Sequence, residues 1–121
     1  MPDLIDIILA RRSVREFLPR PVAPEQLEAV LRAAQAAPSA GNLQAYAIVV
    51  VSSESSRRAL ARAALEQECV ARAPHVLVFL QDARQASGRY GRRGRELYSL
   101  QDATIACSYA HLAADCRPVA A

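Results

Sequence analysis

The chain has 121 residues, a length that suits one domain, 1–121, and leaves little room for a second. An apolar share of 52% excludes a disordered chain, and with no tryptophan and only 5% aromatics the core has to be built from Ala, Leu, Val and Ile. The formal charge is +3 and every basic residue is arginine, an excess too mild to select nucleic acid over an anionic small molecule or a solvated surface.

Leu4, Ile7 and Ile8 recur at i, i+3, i+4 and predict a short amphipathic helix over residues 3–10. Residues 11–15, Arg-Arg-Ser-Val-Arg, follow as its end or as the turn after it. Pro19 and Pro21 impose an extended crossing segment. Pro24 suits the first turn of a second helix, with Leu27, Val30, Leu31 and Ala34 on one face, and that helix stops before Pro38. Residues 38–44, Pro-Ser-Ala-Gly-Asn-Leu-Gln, read as a loop. Residues 47–51 form a continuous apolar run, which predicts a strand buried on both faces.

The polar turn at 52–56 offers serines to cap a third helix, expected over 57–67 with Leu60, Ala64 and Leu65 inward. Pro74 leads into a second strand over 75–80. Residues 82–94 are polar and carry Gly88, Gly91 and Gly94, so they read as a mobile loop or lid. A long helix is expected over 95–114, its inner face made by Leu97, Leu100, Ala103, Thr104, Cys107 and Ala110. The tail at 116–121 has no pattern. Two strands among several helices make an α+β or mixed α/β arrangement. So narrow a sheet is poorly covered, so a partner chain is expected.

Cys69, Cys107 and Cys116 are odd in number and show no Cys-x-x-Cys spacing, which points to a reduced, cytoplasmic setting rather than a disulfide framework or zinc ribbon. Asp3 and Asp6 interrupt the first apolar stretch and argue against a signal peptide. No apolar run approaches the ~20 residues of a membrane helix. His75 and His111 stand far apart on different elements and predict no metal site, and there is no Gly-x-Ser-x-Gly, Gly-x-Gly-x-x-Gly or Gly-x-x-x-x-Gly-Lys.

What remains is a set of anion and amide binders. Arg11, Arg12 and Arg15 beside the hydroxyl of Ser13 suit a phosphate. The same arginines would equally suit a helix C-terminus, where they oppose the dipole. The amides of Asn42 and Gln44 donate and accept at once, as the pyrimidine edge of a flavin requires, and both are also ordinary turn residues. Gln67, near the end of the third helix, is a further amide of this kind.

Taken together, these segments resemble the nitroreductase superfamily. Ala-Arg-Arg-Ser-Val-Arg-Glu-Phe at 10–17 is similar to its opening motif, and Ala-Pro-Ser-Ala-Gly-Asn-Leu-Gln at 37–44 to its second. Ala-Pro-His-Val-Leu-Val-Phe at 73–79 is similar to its second strand. Tyr90-Gly91, Tyr98 and Gln101-Asp102-Ala103 resemble its central helix region. The likeness runs over residues 4–114 in order and register. It implies an FMN site in which Arg11, Arg12, Ser13 and Arg15 meet the phosphate, ribityl chain and N1/C2 edge. Pro38, Ser39, Ala40, Asn42 and Gln44 would reach the flavin of the partner in a homodimer, and Gln67 matches a position that in part of the family bonds the pyrimidine edge. Ala45 stands where proline is usual and Tyr46 where tryptophan is common.

The resemblance further implies NAD(P)H as reductant, a nitro, quinone or similar acceptor, and no side-chain general acid, because the flavin carries the redox chemistry. Residues 84–95 would shape the acceptor pocket. Family members continue past the long helix with a Gly-Leu-Gly-like turn, further strands and a late basic phosphate ligand, none of which follows here. The expected fold is therefore a nitroreductase-like sheet flanked by helices, C-terminally shortened and dependent on dimerisation. The alternative is a flavin-binding or structural homologue without turnover. A nucleic-acid binder is disfavoured because no stacking aromatics accompany the arginines.

Overall fold

The computed structural model describes residues 3–116. Helix α1 (Leu4–Ala10) is set by a reciprocal cap: the Asp6 N–H donates to Asp3 Oδ1 at 2.9 Å, and the Asp3 N–H donates back to Asp6 Oδ2 at 3.4 Å. The chain turns extended at Arg11, and no basic residue lies in the last turn of α1. The arginines of residues 11–15 are thus beyond the helix, and the reading of them as a helix end falls. Helix α2 (Pro24–Gln35) begins with proline at its first turn, as expected.

Strands β1 (Tyr46–Val51) and β2 (Val76–Gln81) pair antiparallel, from Tyr46 opposite Gln81 to Val51 opposite Val76. Tyr46, Ile48 and Phe79 pack on a core of Ala34, Ala37, Ala106 and Ala110. The expectation that the first strand is buried on both faces is not met, because Val49 is 44% exposed and Ala47 and Val50 are open as well. A β-branched run reads as doubly covered, yet here the described residues supply helices to one face only.

Between the strands lie α3 (Glu54–Ala63) and the short α4 (Glu68–Arg72). The cap of α3 is Ser53, whose hydroxyl accepts from the Ser56 N–H at 3.3 Å. The helix ends four residues before the expected limit, because Leu65 and Glu66 are left-handed, with φ of 61° and 60°. Leu65 is consequently 88% exposed rather than inward.

The expected mobile loop at 82–94 is instead helix α5 (Ala83–Arg93), followed by a π turn at Gly94–Tyr98. Its start is fixed by Asp82, whose side chain accepts from the Gln85 N–H at 3.0 Å. Gly94 was part of the loop signal, but its role is close packing. A Cβ there would collide with the backbone carbonyl of Ala86. Tyr90 and Tyr98 stack edge to face at 5.1 Å across the turn.

Helix α6 (Ser99–Cys116) buries Ser99, Asp102, Ala103, Ala106 and Ala110. The expected inner face is thus only partly right, since Leu97, Leu100, Thr104 and Cys107 are exposed. Small residues let α2 approach closely, and the seam follows them rather than the leucines. Such a core is thin, since a buried methyl contributes only about 0.8 kcal/mol. Beyond Cys116 the patternless tail lies outside the described residues. Among the described residues, no helix is long and apolar enough to cross a membrane, and no cluster of side chains could hold a metal ion.

Candidate functional site

The loop at residues 39–45 is held from three directions. Internally, the Gln44 N–H donates to Ser39 Oγ at 2.9 Å, and a 3₁₀ turn (Ala40–Asn42) closes with Leu43 N–H to Ala40 O at 3.2 Å. From α6, the Asp102 carboxylate accepts the Ala40 N–H at 3.1 Å and the Ala45 N–H at 3.4 Å. From α5, Gln85 Nε2 donates to Leu43 O at 2.7 Å.

These contacts hold an unusual backbone. Gly41, Asn42 and Gln44 all have positive φ, at 59°, 57° and 50°. Asparagine tolerates that region, but glutamine enters it rarely and at a cost of about 1 kcal/mol. Gly41 is required twice over, since a Cβ there would also collide with the Tyr90 hydroxyl.

The result is selective about which amides are available. Gln44 Nε2 donates to Gln35 O at 2.7 Å, so one of its two N–H donors is engaged within the chain and its side-chain oxygen remains as an acceptor. The Asn42 side chain is exposed and bonds no described residue. Pro38 is exposed, while Ser39 and Ala40 are half-buried.

The arginine segment is built differently. Arg11, Arg12, Ser13 and Arg15 are all exposed on extended chain, and none of the three arginines makes an ion pair with a described residue. Arg12 lines a largely apolar cavity of about 550 Å³ together with Phe17, Leu27, Leu77 and His111. No residue of the 38–44 loop lines that cavity. Within one chain, therefore, this cavity does not join the two predicted halves. Gln67 joins neither half: it precedes α4, is exposed, and its side chain donates to Ala64 O at 2.9 Å.

His75 is structural. Its Nε2 accepts the Val22 N–H at 3.1 Å, which leaves Nδ1 protonated to donate to Ser52 Oγ at 2.8 Å. It thereby ties the proline-rich crossing segment to the end of β1. Cys107 is exposed on α6, and partial burial of its thiol pushes the pKa above its ordinary value.

Asp102 is the functional candidate that sequence reasoning passed over as an individual residue. The signal was present: a lone carboxylate one position before Ala103 on the inner face of a helix whose other buried positions are small.

Residues 8–72, which carry both motif segments and Gln67, match the Nitroreductase family. The chain belongs to this family. It is 46% identical over 78 residues to an NADH dehydrogenase of Thermus thermophilus, an alignment covering 64% of this chain and 38% of that one. Among solved structures it is similar to the hypothetical oxidoreductase YcnD from Bacillus subtilis, with a TM-score of 0.84 and 28% identity over 95% of this chain and 51% of that one. It is similar too to the NADPH:FMN oxidoreductase from Vibrio harveyi complexed with NAD+, with a TM-score of 0.79 and 33% identity over 92% of this chain and 50% of that one. The fold is thus the nitroreductase α+β arrangement, and the chain spans about half the length of these solved relatives.

Proposed function

We propose that this chain is the FMN-holding part of an NAD(P)H-dependent flavin oxidoreductase that works as a homodimer. The observation that carries this reading is the 39–45 loop. Its backbone is clamped into left-handed turns while the Asn42 amide and the Gln44 side-chain oxygen stay uncommitted. A donor and an acceptor set side by side suit the pyrimidine edge of a flavin.

The remaining donors also fit FMN. Arg11, Arg12 and Arg15 have no ion-pair partner among the described residues, and with Ser13 they offer the charge-assisted bonds that a phosphate takes. Arg15 would in addition supply positive charge to a ring that gains electrons. Gln67 would assist at the pyrimidine edge only by giving up its bond to Ala64 O. When bound, FMN would accept hydride from NAD(P)H and pass electrons to a nitro, quinone or similar acceptor.

Assembly follows from the uncovered surface. Leu4, Ile5, Ile8 and Leu9 are exposed along α1, as are Val49 and Leu80 on the open face of the sheet. A chain whose own core is mostly alanine gains from covering them with a second copy. That arrangement also answers the separation of the two halves, since the arginines of one protomer and the loop of the other can then serve one flavin.

Consumption of NADH and NADPH by the FMN-loaded chain, with menadione or a nitrofuran as acceptor, tests the proposal. The expected result is turnover that requires FMN. Firm FMN binding without any NAD(P)H consumption would overturn the enzymatic reading and leave a flavin-binding homologue.

A further inference from the structure

Asp102 is only 3% exposed, in the first turn of α6, with Ala103 and Ala106 as buried neighbours on the same face. A carboxylate in such surroundings is strongly unfavourable unless its oxygens are satisfied. It makes no ion pair with a described residue, and its bonds go instead to two backbone N–H groups, Ala40 to Oδ1 and Ala45 to Oδ2. These two amides bracket the left-handed turns at Gly41, Asn42 and Gln44. An apolar residue at 102 would suit the helix seam better, and the carbonyls of α6 are engaged in the helix itself. A carboxylate is the group that can reach out of this helix and accept from both ends of the loop at once.

We propose that Asp102 is a positioning residue for the flavin ring. By clamping both ends of the 39–45 loop, it holds the Asn42 amide and the Gln44 side-chain oxygen in the spacing that the ring edge needs. This rests on the FMN reading above. It makes a distinction that a general contribution to folding would not: Asp102 serves the ring through the loop, and the arginine segment serves the phosphate.

The test compares the full wild-type chain with Asp102→Asn, Asp102→Ala and Arg12→Ala. Asparagine is nearly isosteric but keeps one acceptor and turns an NH₂ toward the other amide. Amide hydrogen exchange is followed first on the flavin-free proteins, and dissociation constants for FMN and for riboflavin, which lacks the phosphate, are then measured by fluorescence quenching. In Asp102→Asn, exchange at Ala40 and Ala45 should accelerate about tenfold or more, the scale of one lost charge-assisted bond, while residues 106–110 of α6 keep their protection. Affinity for FMN and for riboflavin should fall by the same factor, again about tenfold. Arg12→Ala should weaken FMN alone.

Unchanged riboflavin affinity in Asp102→Asn, beside normal wild-type binding, would overturn this inference and leave the FMN reading standing. A wild-type chain that binds neither flavin would overturn both. If neither Asp102 variant folds, Asp102 belongs to the core rather than to the loop, and the inference fails.

Discussion

The two segments proposed to hold FMN are built on opposite plans. The loop at 39–45 is fixed by its own chain: Asp102 takes both ends, Ser39 the inside, Gln85 the middle, and Tyr90 the face of Gly41. The segment at 11–15 is extended and exposed, with charged groups that no described residue satisfies. One half of the proposed site is thus held by its own chain, and the other leaves its charged groups without an ion-pair partner among the described residues. A preorganised donor set binds without a further entropic cost, whereas freely rotating arginines pay roughly 0.5–1.5 kcal/mol for each side chain immobilised. The loop should set selectivity for the ring, and the arginines should set phosphate affinity and its salt dependence.

The contrast is broken most severely at Gly41. Gly41→Val combines a left-handed φ of 59° with a collision at Tyr90, and it should cost about 3 kcal/mol in urea unfolding. Ser13→Val in the exposed segment should stay within about 0.5 kcal/mol of the wild type. Equal losses at the two positions would erase the distinction.

The next effect concerns assembly. Leu9 is 78% exposed on α1 and Ile5 lies one turn before it. The double change Ile5→Glu with Leu9→Glu places charge in the proposed contact, and sedimentation velocity should report a monomer where the wild type is a dimer. A variant that still dimerises would move the interface elsewhere on the surface.

Arg12→Ala should leave unfolding within about 0.5 kcal/mol of the wild type, because the guanidinium has no ion-pair partner among the described residues. FMN affinity should fall about tenfold, and the loss should shrink in high salt. A modest effect is expected at Gln85→Ala, which removes one exposed bond to Leu43 O and should lower stability by about 0.5–1 kcal/mol by thermal melting.

Much of this arrangement was legible in the chain. Pro24, Ser53 and the apolar runs at 47–51 and 75–80 placed helix starts and strands to within a few residues, because capping and periodicity are local. The readings that failed depend on contacts between distant residues. Gly94 signals flexibility in sequence, and only its approach to Ala86 shows that it is packed. The inner face of α6 follows its small residues because α2 presses close, and neither Leu97 nor Leu100 reveals that alone. Leu65 is turned outward by two left-handed residues that no periodicity announces. At the site, the residue types in both motifs were readable from the chain. What was not readable was that Gln44 bonds Gln35 with its amide, or that Asp102 reaches across 62 positions to the Ala40 N–H.

The central claim is that one chain supplies both halves of an FMN site and that two copies complete it. Gel filtration of the purified protein after incubation with excess FMN, followed at 280 nm and across the visible flavin bands, tests it most directly. A yellow peak at the size of a dimer, carrying one flavin per protomer, is the expected result. A colourless protein peak, with all the FMN eluting as free ligand, would contradict it.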